Sequence, residues 1–127
     1  MVKKLFTCDL YIKISANKFD AKNLSTNGSW QTAYPDQPFT TDRLLIGHFS
    51  SAESTLTQLI KNILPKSFIA KSPQVVIHPT SHVEGGLSEV EEHIFKELAL
   101  GSGAHKAALH IGSELTDSGA RILISRA

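Results

Sequence analysis

The side chains able to do chemistry in this chain are few and scattered. The histidines suggest a metal first: His78 and His82, with Glu84 and His93, fall near the end of one apolar run, and imidazole and carboxylate ligands suit zinc. A small metal-dependent enzyme built on His78, His82 and Glu84 is the chemistry that this pattern would support. Against it, Pro79 breaks any helix that would align His78 with His82, and no His-Glu-x-x-His motif occurs. Serine, histidine and aspartate are all present, yet no Gly-x-Ser-x-Gly elbow is there to make a nucleophile. The single cysteine, Cys8, alternates with apolar residues and reads as a small buried hydrophobe. Alone it makes no internal disulfide, which fits a reducing compartment. Gly85-Gly86 precedes a helix start, where an anion could sit, but Glu89, Glu91 and Glu92 already complement that dipole and would repel phosphate. Lys3, Lys4, Lys13, Lys18 and Lys22 make the N-terminal part basic, a solvated face that offers weak contact with a membrane surface at most.

These residues need elements to hold them. Phe6, Cys8, Leu10, Ile12 and Ile14 alternate with Thr7, Asp9, Tyr11 and Lys13, and a period of two predicts a strand with one buried face. Asn27-Gly28 predicts a hairpin through a type I′ turn, with Trp30, Thr32 and Tyr34 on its second arm. Ser50 and Glu53 suggest a capping box for a helix carrying Leu56, Leu59, Ile60, Ile63 and Leu64, stopped by Pro65. Val75-Val76-Ile77 reads as a buried strand. Ser88 and Glu91 form a second capping box, opening a helix with Val90, Ile94, Phe95 and Leu98 as its core stripe and Gly101 and Gly103 at its end. Residues 107–111 and 121–125 read as two last strands. The expected class is α/β, in the order β-β-β-α-β-α-β-β, with a mixed sheet and no linker, so residues 1–127 form a single domain.

Composition narrows the function classes. The chain has 127 residues, 41% hydrophobic and 20% charged, with 13 Lys+Arg against 12 Asp+Glu. That suits one folded core and argues against a disordered chain. A formal charge of +1 supplies no global field for nucleic acid. No apolar run is long enough to span a membrane, and no signal peptide is apparent, so a cytoplasmic location is expected.

Several of these residues resemble the bacterial actin homologue MreB. Its Thr-x-Val-Glu…Glu-x-Ala-x-Gly-Ala-Gly-Ala helix is similar to Val90-Glu91, Glu97, Ala99, Gly101, Gly103 and Ala104. In both, a strand ending in proline precedes the helix, here Val75-Val76-Ile77-His78-Pro79. Asp9-Leu10-x-Ile12 is similar to the first MreB strand. The resemblance implies a ribonuclease-H-like fold of the actin subdomain IA kind. It also shows departures. Where MreB ends its first strand in Asp-Leu-Gly-Thr, at the nucleotide phosphates and magnesium, this chain has Lys13-Ile14-Ser15-Ala16. Where MreB carries Glu-Glu-Pro, Gly112-Ser113-Glu114 stands, and residues 35–48 leave no room for the small subdomain IB. A second phosphate loop and a second lobe are also missing.

The expected function is therefore a non-catalytic, single-lobe, MreB-like protein that works by protein–protein contact in cell-shape or cytoskeletal control, with no cofactor. The partner is another protein, an MreB or a second copy of the chain. In MreB the equivalent of helix 88–100 lies between paired protofilaments, so the resemblance implies a contact surface at Glu89, Val90, Glu92, His93 and Lys96. The alternative is a residual nucleotide binder in which Lys13 and Ser15, the degenerate remains of the phosphate site, touch phosphate without metal.

Overall fold

The computed structural model describes residues 7–64 and 72–127. Five strands form one mixed sheet: β1 (Thr7–Ser15), β2 (Lys18–Asn23), β3 (Gln31–Ala33), β4 (Ser72–Pro79) and β5 (Lys106–Leu109), in the spatial order β3-β2-β1-β4-β5. β2 runs antiparallel to both its neighbours, whereas β1, β4 and β5 are parallel. Three helices are described: α1 (Phe49–Ile63), α2 (Glu89–Gly101) and α3 (Asp117–Arg126). None is long and apolar enough to cross a membrane.

The alternation along β1 divides the core. Cys8, Leu10, Ile12 and Ile14 meet Phe19 and Ala21 of β2, Val75 and Ile77 of β4, and the buried sides of α1 and α2. Tyr11 points the other way and joins Val76, Leu24 and the α3 residues Ala120 and Ile124. The expected strand with one buried face is thus buried on both, because a helix covers the side that carries Tyr11. α1 buries Ala52, Leu56, Leu59, Ile60 and Ile63, the 3.6-residue stripe that the sequence predicts.

Two strand expectations are corrected. The 121–125 run is helical, not extended, so the order ends β-α rather than β-β. Thr116 caps this helix by accepting from the Gly119 N–H, and Ala120 and Ile124, one helical turn apart, bury against Tyr11 and Val76. The turn at Asn27-Gly28 does lie between β2 and β3, but only Asn27 has a positive φ, 53°. A type I′ turn needs both central residues there, so the connection 24–30 is a longer loop. The tight hairpin is the preceding one, Ser15 to Lys18, where Asn17 takes φ 52° and its Oδ1 accepts from the N–H groups of Phe39 and Thr40.

One capping box forms and one does not. At α2, Ser88 accepts from the Glu91 N–H while the Glu91 carboxylate accepts from the Ser88 N–H. At its other end Gly103, at φ +116°, and Ala104 donate to the carbonyls of Leu100 and Ala99, the Schellman pattern that a left-handed glycine permits. At α1, however, the Phe39 carbonyl captures the N–H groups of Gly47 and His48 at 2.8 and 2.9 Å. That starts the helix at Phe49, with His48 as an N-cap without a side-chain bond, so Ser50 and Glu53 already lie inside it. Pro65, expected to stop this helix after Leu64, lies outside the described residues, as does Phe6.

A buried clasp of tyrosine, histidine and lysine side chains

Polar chemistry gathers on the α3 side of the sheet, at the carboxyl ends of the parallel strands. Register places Tyr11 beside Val76 and Lys13 beside His78, and period two turns Tyr11, Lys13 and His78 to the same side. Tyr11 is fully buried and His78 nearly so, at 2% exposure. The Tyr11 hydroxyl lies 2.8 Å from His78 Nδ1 and accepts from the Leu115 N–H at 2.9 Å. His78 Nε2 lies 2.8 Å from the Gly112 carbonyl.

These partners determine the protons. The Gly112 carbonyl only accepts, so Nε2 carries a hydrogen and donates it. Burial favours the neutral ring, so Nδ1 is then a bare acceptor and the hydroxyl gives it its one hydrogen while accepting from Leu115. His78 is therefore the neutral Nε2–H tautomer. Burial holds its pKa below the usual histidine value; the nearby His110 and Lys13 push the same way, against the Gly112 carbonyl. Burial likewise raises the Tyr11 pKa, against the Leu115 N–H. Both ring nitrogens of His78 and the Tyr11 hydroxyl are thus engaged, and together they tie the 112–115 segment to the sheet.

Around this pair sits a shell of charges. Lys13 Nζ lies 2.6 Å from Glu114 Oε1 and 4.3 Å from the centre of the Trp30 ring. Lys22 Nζ lies 2.7 Å from Asp117 Oδ1 and 4.8 Å from the same ring. Trp30 meets Tyr11 edge-on at 5.2 Å, and His110 meets His78 edge-on at 4.7 Å. The hydrogen bond from Lys13 lowers the Glu114 pKa, although that carboxylate is largely exposed. Two cations, one indole ring and two carboxylates thus tie α3 and its entry to β1 and β2.

The predicted site residues fare differently. His78, His82 and Glu84 do not converge: both ring nitrogens of His78 are engaged, and His82, at φ 58°, turns Nε2 toward the Thr41 carbonyl at 3.2 Å. Among the described residues no three His, Cys, Asp or Glu side chains group to hold a metal ion. That corrects the metal reading, because the turn after Pro79 sends His82 toward the 39–48 loop. Lys13 is paired with Glu114, and Ser15 lies opposite Lys18 at the tight hairpin. Glu89, Val90, Glu92, His93 and Lys96 all lie exposed on α2, with His93 Nε2 3.7 Å from Glu97 Oε1. Val90 was expected in the core stripe, but it is 72% exposed; Phe95, Leu98 and Ala99 are the buried residues. Val90 occupies the first turn of α2.

Sequence reasoning missed the clasp because it read 121–125 as a strand. Thr116, whose side chain accepts from the Gly119 N–H, is the local signal of a helix start in that stretch.

The chain thus defines a class: a small α/β domain with a mixed five-stranded sheet, covered by two helices on one face and by a clasped helix on the other. No protein-family model matches it. It is 32% identical over 126 residues to the uncharacterized protein YjaA of Escherichia coli (strain K12), a match that covers 92% of this chain and 97% of that protein. The chain belongs to the YjaA family.

Proposed function

We propose that the protein is a non-catalytic contact module with a ribonuclease-H-like sheet, which binds a protein partner through the exposed side of α2. The observation that carries this reading is apolar exposure at one place. Val90 is 72% exposed and Leu44 44%, and together with Ile94 they border a shallow apolar groove of about 70 Å³. Glu89, Glu92, His93 and Lys96 continue the same helix with mixed charge, an apolar centre with a polar rim. The β-β-β-α-β-α-β succession and the single reversed strand support the ribonuclease-H-like reading. The likeness of α2 to the MreB filament helix makes an MreB subunit the partner of choice, and cell-shape control the setting. The pairing of Lys13 with Glu114 supports a module without nucleotide chemistry, since the cation nearest the former phosphate site is already neutralised.

The test is co-sedimentation of the chain with polymerised MreB from the same cell. The wild type is expected to pellet with filaments or to shorten them. Val90→Asp, at an exposed position, is expected to leave the thermal melt unchanged and abolish the effect. Unchanged filaments and no binding would refute this reading.

A further inference from the structure

A second surface, away from α2 and from the clasp, is built differently. Along helix α1 lie two adjoining cavities, one of about 350 Å³ against the edge strand β3 and one of about 720 Å³ against residues 36–38, which share Asp36, Ser54 and Thr55. That is the size range of small-molecule sites. The lining of the smaller is mostly polar, that of the larger is more apolar, and neither is strongly charged. Gln31, Tyr34, Asp36, Ser54, Gln58 and Asn62 supply amides, hydroxyls and one carboxylate. Among the described residues no lysine or arginine lines either cavity, so a phosphate or carboxylate ligand would find no counter-charge.

Some of these groups are committed. The hydroxyl of Ser51 donates to the Gln37 carbonyl, that of Thr55 to the Ser51 carbonyl, and Gln58 Nε2 reaches Asn62 Oδ1 only at 3.5 Å. The side chains of Gln31, Tyr34, Asp36 and Ser54 take no hydrogen-bond partner among the described residues. Each amide offers a donor and an acceptor side by side, and the carboxylate accepts twice. Neighbouring hydroxyls on a sugar ring present the complementary pairs. The Tyr34 ring, 71% exposed at the rim, offers a flat apolar face against which the C–H side of such a ring can pack.

We propose that the β3–α1 groove is a binding site for a neutral oligosaccharide, held by the amide and carboxylate side chains and stacked on Tyr34. The helix side of the site is preorganised, because Leu59 of α1 is anchored in the core below it. This site is independent of the partner surface at Val90, so either proposal can fail alone.

The experiment is titration of the isotope-labelled chain, read by amide chemical shifts, with maltotriose, cellotriose and triacetylchitotriose in turn. At least one is expected to move amides in 31–37 and 50–62 saturably, with half-saturation on the order of 1 mM. Tyr34→Ala and Gln58→Ala, both at exposed positions, are expected to keep the wild-type melting temperature and to weaken binding tenfold or more. If none of the three sugars gives a saturable shift up to its solubility limit, or if both variants bind like the wild type, the proposal is overturned. A serine- and glutamine-containing peptide that moves the same amides at lower concentration would overturn it in favour of strand addition to β3.

Discussion

The Tyr11 hydroxyl makes a decisive perturbation, because it meets both the Leu115 N–H of the 112–115 segment and the His78 ring. Tyr11→Phe keeps the ring, its packing against Val76 and its edge contact with Trp30, and removes only the oxygen. Two partners are then left: the Leu115 N–H, which is partly buried, and Nδ1 of His78, which is buried. An unmet buried polar group costs about 1–3 kcal/mol, with the lower end for one that water can reach. The expected loss is therefore about 2–4 kcal/mol, a large part of the stability of a domain of this size. The assay is equilibrium urea unfolding at neutral pH followed by Trp30 fluorescence, run as a double-mutant cycle with His78→Phe. If the hydroxyl and the imidazole act as one unit, the double variant is more stable than the sum of the two single losses predicts, by roughly 1–2 kcal/mol. A Tyr11→Phe loss below about 0.5 kcal/mol, or strictly additive losses, would refute the clasp and the proton assignment on which it rests.

Other outcomes follow from the same geometry. Since His78 titrates below its unfolded value of about 6.5, the unfolded chain binds the proton first as pH falls. Stability should be full above that value and decline on acidification toward the folded pKa, and urea unfolding in this window should show the slope flatten in His78→Phe. Glu114, with its pKa lowered by Lys13, adds a smaller acid-side loss that begins as pH falls into the ordinary glutamate range and runs on toward the lower folded pKa; Glu114→Gln should remove it. The paired change Glu114→Gln/Asp117→Asn should cost about 1 kcal/mol or less, because both carboxylates are half exposed, and the difference should shrink in high salt. At Gly47 a Cβ would run into the Thr41 side chain, so Gly47→Ala should destabilise by about 1–3 kcal/mol in a thermal melt. At Gly101 the obstacle is only the tip of the Glu53 side chain, so Gly101→Ala should be tolerated.

What was legible in the sequence is what short-range physics controls. The period of two from Cys8 to Ile14, the 3.6-residue stripe of α1, and the Ser88–Glu91 box with Gly103 behind α2 each describe a segment whose backbone preference and apolar face agree. Such segments form the same element wherever they are placed. The start of α1 was not legible, because the Phe39 carbonyl binds the N–H groups of Gly47 and His48 and the helix begins at Phe49, which leaves Ser50 inside it rather than at its cap. Nor was α3, whose two buried residues are too few to show a period until the Tyr11 side of the sheet is known to lack a cover.

The candidate site divides in the same way. Residue type by itself determined that Glu89, Glu92, His93 and Lys96 give α2 a face of mixed charge. Tertiary structure alone decided that Lys13 meets Glu114, that Lys22 meets Asp117, that His78 gives both nitrogens to Tyr11 and Gly112, and that His82 is turned away from it. It also decided that Val90 lies outside the core it was expected to join. The physical reason is range: a helix or strand is chosen by neighbours within a turn or a pleat, whereas a hydrogen-bonded clasp depends on strand register and on which face a distant helix covers.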